Sequence, residues 1–479
     1  MICKDFKYPK LLEYFEKISS IPRMSYHEQE IANYLVDFAK ERGLEYYTDS
    51  ANNVLINLPA SEGMEGSEPI LLQGHTDMVC ECNMGVAHDF LKEGLKLYVE
   101  DGELRAEGTT LGADDGSAVA VMLALLDGEI YPHPACQCLF TASEEVGLDG
   151  AKAFDYSKIF ARRMINMDGA DERALIVGCA GGLRSDSVFC VEYGVSSHSK
   201  LVKLSIGGLM GGHSGENIND GRANANKLAI GLLSRICDVL GGDVVSVNGG
   251  TKDNAIPREA TVVVAVSDID ALGKLVSSYE TEVKGTLCAD DRDFFISYEE
   301  CGDGKGAAVF SKEFTRKIIR FADSIDNGVL AMSKNIEGLV EYSRNLGIIE
   351  TIGDKIGFYF SSRSAIDEQI EKSRQTIEVS AAECGGSTTH HGRYPGWNYT
   401  GYSKLAEAYI ECAREKCSLD VEKIALHAGL ECGIIKQAIP EMDIISCGPN
   451  IKDLHSPKES MNLASFERFF TIIKAIIEG

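Results

Sequence analysis

The sequence predicts an α/β domain whose chain is interrupted by a second, α+β domain. Over the first third of the chain, short apolar runs bounded by turn residues alternate with helical segments, the pattern of a sheet covered by helices. From Cys179-Ala180-Gly181-Gly182-Leu183 onward the strands lengthen and alternate polar with apolar residues, as half-buried antiparallel strands do. Residues 385–397 turn rich in Gly and His, and beyond them the first style returns. A chain of 479 residues also exceeds what one hydrophobic core grows to fill. The expected boundaries are 1–183 and 390–479 for the split α/β domain and 184–389 for the insertion, which is tolerated because domain termini lie at the surface.

Within residues 10–43, Leu12, Phe15 and Ile18, then Ile31, Tyr34, Leu35 and Phe38, recur at helical spacing, and Ile21-Pro22 divides the run into two helices. Apolar runs at 54–58, 70–73, 138–141 and 164–167 have the length of buried strands. After Asp114-Asp115-Gly116, residues 117–126 are apolar on every side, as a fully buried helix is. In the insertion, 201–206 and 260–266 read as strands and 223–240 as a helix; in the resumed domain, 404–417 reads as a helix and 444–446 as a strand.

The formal charge of −26 argues against nucleic acid or an anionic membrane surface as partner, because both draw their affinity from clustered Lys and Arg. A small-molecule enzyme that recruits cations fits better. The start, MICKDFKYPKLLEYFEKISS, lacks the basic, apolar and small-residue regions of a secretory signal. No stretch reaches the roughly 20 apolar residues that span a bilayer. Fifteen cysteines, an odd number without repeated CxxC pairs, read as reduced thiols, so a cytoplasmic protein is expected. Cys80/Cys82 and Cys136/Cys138 read as small buried residues beside strands. The Gly-rich stretches at 207–215 and 249–250 match neither GxGxxG nor GxxxxGK[ST], which argues against a phosphate cradle.

Chemistry-bearing residues gather in Gly74-His75-Thr76-Asp77, Ala113-Asp114-Asp115-Gly116, Ser143-Glu144-Glu145 and Asn166-Met167-Asp168, with His455 in Asp453-Leu454-His455-Ser456-Pro457. All are expected at the carboxyl ends of strands, where open α/β sheets bind ligands. Singly, each reads as a structural histidine or a solvated loop acid. Burying all of them without a cation would be costly, and a metal centre resolves the conflict. Imidazole and carboxylate without thiolate suit zinc, and equally manganese or cobalt. One bridging carboxylate, with a further carboxylate and an imidazole for each ion, would hold two ions ~3.5–4 Å apart. Glu144 and Glu145 would point in opposite directions in an extended segment, so one can ligate while the other works as general base. His75 and Asp77 share a face of an extended segment, which lets Asp77 fix the imidazole tautomer.

The ordered runs LLQGHTDMV, RAEGTTLGADDGSAVA, LFTASEEVGLDGA, INMDG, VGCAGG, GGLMGGHSGENINDGRANANKL, GGTKDNAIPREA, HAGLECG and SCGPNIKDLHSP resemble the aminoacyl-histidine (Xaa-His) dipeptidases among the co-catalytic dizinc metallopeptidases. The resemblance covers nearly the whole chain. It implies a phosphorylase/hydrolase-like zinc-peptidase fold, with a mixed sheet between helices and the insertion as a lid. It further implies Asp114 as the bridging carboxylate, His75 and Asp168 on one ion, Glu145 and His455 on the other, Glu144 as general base and Asp77 as the residue that orients His75. Asp115 receives no catalytic role. His213, in Gly212-His213-Ser214-Gly215, would donate to the oxyanion, and Asn254 and Arg363 would hold the peptide backbone and carboxylate.

The expected activity is hydrolysis of unblocked dipeptides, Xaa-His among them, by a water shared between two divalent ions. A related N-acyl amino-acid deacylase or tripeptidase is the alternative; a metal- or peptide-binding protein without catalysis is disfavoured because Glu144 and all five ligand candidates are present. A homodimer is expected, with His213 acting from the same chain or from a partner.

Overall fold

In the computed structural model, which describes residues 3–334, 336, 338–399 and 401–479, two neighbouring strands organise the first half of the chain. Ile70–His75 and Cys136–Thr141 are buried at every position. Strands covered on both faces need continuous rather than alternating apolarity, which is how their runs read in the sequence. They pair in parallel, and Arg163–Asn166 and Asp443–Ser446 extend the parallel set. Val54–Leu58 and Glu45–Thr48 add antiparallel strands beside Cys136–Thr141, and Ala174–Cys179 pairs antiparallel with Asp443–Ser446. With Glu422–Leu426, the described residues give this mixed sheet eight strands.

The sheet belongs to a unit comprising Met1–Cys179, Trp397–Ala425 and Leu430–Gly479. The helix Ala113–Leu126 packs against Pro9–Ser19 and Ile70–His75, and every residue of it except Asp114 is buried. The last helix, Leu463–Glu478, brings Phe466 against Phe6 and Phe15, with ring centroids 6.0 and 6.3 Å apart. Buried Glu172 fastens that helix through Arg468 (2.7 and 2.8 Å) and also accepts from Asn450 (2.9 Å).

One expectation needs correction. His75 ends a strand of the main sheet, and Glu144, Glu145 and Asp168 follow others, but Asp114 and His455 do not follow strands of that sheet. A separate four-stranded sheet, in the order Ile451–Lys452, Ser460–Asn462, Glu103–Ala106, Leu97–Glu100, carries the loops that hold them. Its strands span two to four residues, too short for their periodicity to distinguish one sheet from another. Cys136 and Cys138 are buried as expected, whereas Cys82 is exposed.

The second unit comprises Ala180–Gly396 and Leu426–Gly429. Its main sheet is antiparallel among the described residues, in the order Phe295–Asp303, Lys200–Gly207, Ala260–Val266, Asp243–Gly249, Val340–Ile352, Lys355–Ser364, Gly181–Cys190, Ser387–Tyr394, with Gly328–Met332 beside Val340–Ile352. Helices Ala225–Leu240 and Asp367–Glu383 pack on it, and Lys312–Ser324 packs against both helices. Phe189, Phe321 and Phe358 meet pairwise at 4.9–5.8 Å between ring centroids. The Gly- and His-rich stretch is largely an edge strand whose polar side chains find partners, as His390 does with Ser185 at 2.9 Å.

A close backbone crossing fixes the loop that bears Asp168. A Cβ on Gly448 would collide with the carbonyl oxygen of Gly169, the next residue after Asp168. Gly448→Ala is expected to cost about 2–3 kcal/mol by overpacking. Urea unfolding of the metal-free protein measures this, and an unchanged midpoint would mean that the two loops part freely.

Candidate active site

Three loops after strands and two loops from the small sheet bring imidazole and carboxylate atoms together in the first unit. His75 is buried, and its Nε2 lies 3.0 Å from Asp114 Oδ1 and 3.8 Å from Asp168 Oδ1. Its Nδ1 lies 3.1 Å from the Asp77 carbonyl oxygen and 3.5 Å from Asp77 Oδ1. An Nδ1–H donated to that carbonyl leaves the Nε2 lone pair facing the carboxylates. His455, half exposed, places Nε2 3.3 Å from the other Asp114 oxygen and 3.1 Å from Glu145 Oε1.

The backbone holds this set from beneath. Asp77 accepts from Ser25 Oγ (2.7 Å) and from the amides of Glu144 (3.0 Å) and Glu145 (3.2 Å), so one carboxylate orients the whole Glu144-Glu145 segment. Buried Glu459 accepts from the amides of Leu111, Gly112 and Ala113 at 2.8–3.0 Å. It satisfies N–H groups at the start of the helix Ala113–Leu126, where a negative charge is favoured. Asp115 Oδ2 accepts the His75 amide at 3.3 Å, and a side chain on Gly74 would strike that oxygen. Arg23, also buried, donates to the carbonyls of Thr76, Asp77 and Gly112.

The electrostatics are those of crowded acids. Burial works to raise Asp114, yet His455 and His75 hold its carboxyl well below the usual range. Burial, then Asp114, pushes Asp168 well up. Burial likewise raises Glu144, against the pull of His75 and with Glu431 and Glu145 adding to the rise. Burial would lower His75, but Asp114 and Asp77 raise it well above an ordinary imidazole. Asp114 and Glu145 push His455 up to about 10.

The residues fit divalent cations. Ligand atoms of His75, Asp114 and Glu145 lie within 4.8 Å of one another, and so do those of His75, Asp115 and Asp168. Glu145 Oε1 is buried, with the His455 imidazole 3.1 Å away and no well-aligned hydrogen bond. Oxygen and imidazole donors of this kind suit zinc, manganese or cobalt.

A second cluster lies within the second unit. Buried Arg363 donates from one guanidinium nitrogen to Tyr394 Oη (2.9 Å) and places the other 3.5 Å from His213 Nε2, while its Nε has no partner. Ser343 Oγ lies 2.6 Å from His427 Nε2. Burial, then Arg363, lowers His213 and takes His427 down to about 3, so the guanidinium is the cationic member of the cluster. Asn254 sits in a turn pinned on both sides: Asn345 Nδ2 donates to the carbonyls of Asp253 (3.2 Å) and Ala255 (2.7 Å), and the Ser214 amide donates to that of Asn254 (2.9 Å). The only tryptophan, Trp397, is buried and pairs its backbone with that of Cys179.

The family model for peptidase family M20/M25/M40 matches residues 71–479. The chain belongs to this family. The M20 peptidase is 35% identical to the cytosol non-specific dipeptidase of Escherichia coli (strain K12) over 471 residues, which is 98% of this chain and 97% of that one. The structure of an aminoacylhistidine dipeptidase from Vibrio alginolyticus matches it with a TM-score of 0.93 at 34% identity, covering 99% of this chain and 97% of that one. The aminopeptidase PepT from Bacillus cereus, at 17% identity and a TM-score of 0.57 over 99% and 98% of the two chains, shares the fold.

Sequence reasoning about this M20 peptidase missed Arg23, Glu431, Glu459 and His427 as site-supporting residues. Glu459 meets its amide partners across nearly 350 positions of chain, a separation with no local signal. Glu431 and His427 stand in the HAGLECG run, whose only sequence signal is the family resemblance.

Burial pushes Glu431 up to about 7, above the ~4.3 of an exposed glutamate in the unfolded chain. The folded state therefore holds this proton more tightly than the unfolded state. Its stabilising effect is complete below the unfolded value and is lost as pH rises through about 7. In the metal-free M20 peptidase, Glu431→Gln is expected to change little at pH 5 and to add up to about 3 kcal/mol at pH 8. Urea midpoints at the two pH values check this, and equal shifts at both would refute it.

Proposed function

We propose that this M20 peptidase is a metal-dependent dipeptidase that cleaves unblocked dipeptides, Xaa-His among them, using two divalent ions. Zinc is the first candidate, and the same donors accept manganese or cobalt. The observation that carries the two-ion reading is the position of Asp114: one of its oxygens faces His75 and the other faces His455. Asp168 lies on the His75 side and Glu145 on the His455 side. Asp114 would thus help hold both ions, with His75 and Asp168 completing one set of ligands and Glu145 and His455 the other.

The ions, when bound, supply Lewis-acid charge and an acidified water. Glu144 takes the proton of the attacking water and passes it to the leaving amine, a task suited to a carboxylate whose pKa is raised by burial. Asp77 holds the Glu144 amide and the His75 ring, so the base and a ligand share one anchor. In the second unit, assigned as the lid, Arg363 takes the C-terminal carboxylate of the dipeptide, because its planar fork matches two oxygens. His213, kept neutral by burial and Arg363, donates to the carbonyl oxygen as negative charge builds there. Asn254 holds the peptide backbone from its pinned turn. A cytosolic setting, as in the name of the E. coli relative, and a homodimer complete this reading.

Metal-stripped protein is expected to be inactive on a panel of Xaa-His dipeptides and to recover with zinc, manganese or cobalt. Glu144→Ala should lower kcat on the order of 10²- to 10⁴-fold while still binding metal. Cleavage of acetylated amino acids in place of dipeptides would replace this reading with a deacylase, and full metal occupancy with no hydrolysis of either class would leave a binding protein. Arg363→Met should raise KM for a free dipeptide by about 10-fold or more and leave KM for the C-terminally amidated dipeptide nearly unchanged, since only the former presents a carboxylate to the guanidinium. Equal effects on both substrates would remove Arg363 from the carboxylate site.

A further inference from the structure

Beneath the ligand loops, four buried polar side chains form a connected hydrogen-bond network. Glu431, the first residue of the helix Glu431–Ala438, is fully buried. Its Oε2 accepts from Gln73 Nε2 at 2.6 Å and from Thr141 Oγ1 at 2.7 Å. Gln73 Oε1 in turn accepts from Asn166 Nδ2 at 2.7 Å. Thr141, Gln73 and Asn166 lie on three adjacent strands, Cys136–Thr141, Ile70–His75 and Arg163–Asn166.

Each of these three residues stands just before a residue of the proposed site. Gln73 precedes His75 by two positions on the same strand, so both side chains leave the same face. Asn166 comes two positions before Asp168, and Thr141 three before Glu144. The residues between and below them on the same strands, Leu71, Leu72, Leu139, Phe140, Met164 and Ile165, are apolar and buried. Apolar side chains of like volume would fill this level at lower desolvation cost. Hydrogen bonds are directional where dispersion contacts are not, so the network sets rotamers and the spacing between strands.

We infer that Glu431 is a positioning residue for hydrolysis, whose carboxyl group clamps the ends of the strands that carry His75 and Glu144-Glu145 and, through Gln73, reaches the strand that carries Asp168. The inference rests on the ligand assignment made above. Ligand sets work only within about 0.5 Å of their productive geometry, and groups that orient metal ligands typically contribute 10- to 100-fold in metal affinity or activity. The clamp requires an oxygen that accepts two hydrogen bonds and does not require a charge.

Three variants of the full chain, Glu431→Ala, Glu431→Gln and Thr141→Val, test this by zinc affinity in chelator competition and by kcat and KM for a Xaa-His dipeptide at saturating metal. Glu431→Ala is expected to weaken zinc binding about 10- to 100-fold and to lower kcat about 10-fold, with KM within about 2-fold. Glu431→Gln is expected to restore both, because its amide oxygen accepts the same two bonds; Thr141→Val, which removes one of them, should fall between. Wild-type zinc affinity and kcat in folded Glu431→Ala would overturn the inference, and so would a Gln variant as impaired as the Ala variant, which would make charge the operative property. Should Glu431→Ala fail to fold, wild-type values in Thr141→Val overturn it. Wild-type protein that neither binds zinc nor cleaves dipeptides would instead sink the ligand assignment, an outcome read before any variant is made.

Discussion

The structure of the first unit turns on one electrostatic conflict: Asp114, Glu144, Glu145 and Asp168 are crowded into one place that is largely removed from water. Among the described residues, the side chains at ion-pair distance from Asp114, Glu145 and Asp168 are histidines. Carboxylates in low dielectric need a countercharge or a proton. The opposite displacements of Asp114 and Asp168 from the usual carboxylate range record that competition within a few ångströms. Cations bound at this point would relieve it.

Around that conflict the fold is arranged to prevent the acids from moving apart. Parallel strands end side by side, and loops leaving their carboxyl ends would be mobile on their own. Asp77 bonds the backbone of one loop, Glu459 bonds the turn before Asp114, and the Gly169–Gly448 crossing holds the loop of Asp168. Three of the five ligand candidates are carboxylates, and two of the residues that secure the backbone around them, Asp77 and Glu459, are also carboxylates. The net negative charge of the chain has a local counterpart here: acids hold the backbone through amide hydrogens, and acids gather at the candidate metal site.

The second unit shows the reverse polarity at its own cluster. Arg363 sits among His213, His427 and Tyr394 without a carboxylate partner among the described residues. A buried guanidinium with spare donors is poised for an anion that is not part of the protein. Its neutral histidine neighbours supply donors without adding to its charge.

The amino-acid sequence alone determined the class of the fold and the residue types that gather at the candidate site. Buried parallel strands require unbroken apolar runs, antiparallel strands with one polar face alternate, and the acids and histidines that interrupt these runs stand out for that reason. The runs at 138–141 and 70–73 were readable on this basis, inside strands that extend over Cys136–Thr141 and Ile70–His75, as was the helix after Asp114. Only the tertiary structure decided which atoms meet. It showed that Asp114 and His455 come from a separate small sheet, that the contact of His75 with Asp77 runs first through a backbone carbonyl, and that Glu431 and Glu459 support the site from beneath. These pairings join residues up to about 360 positions apart. Hydrogen bonds at that separation depend on chain topology, which local periodicity does not encode.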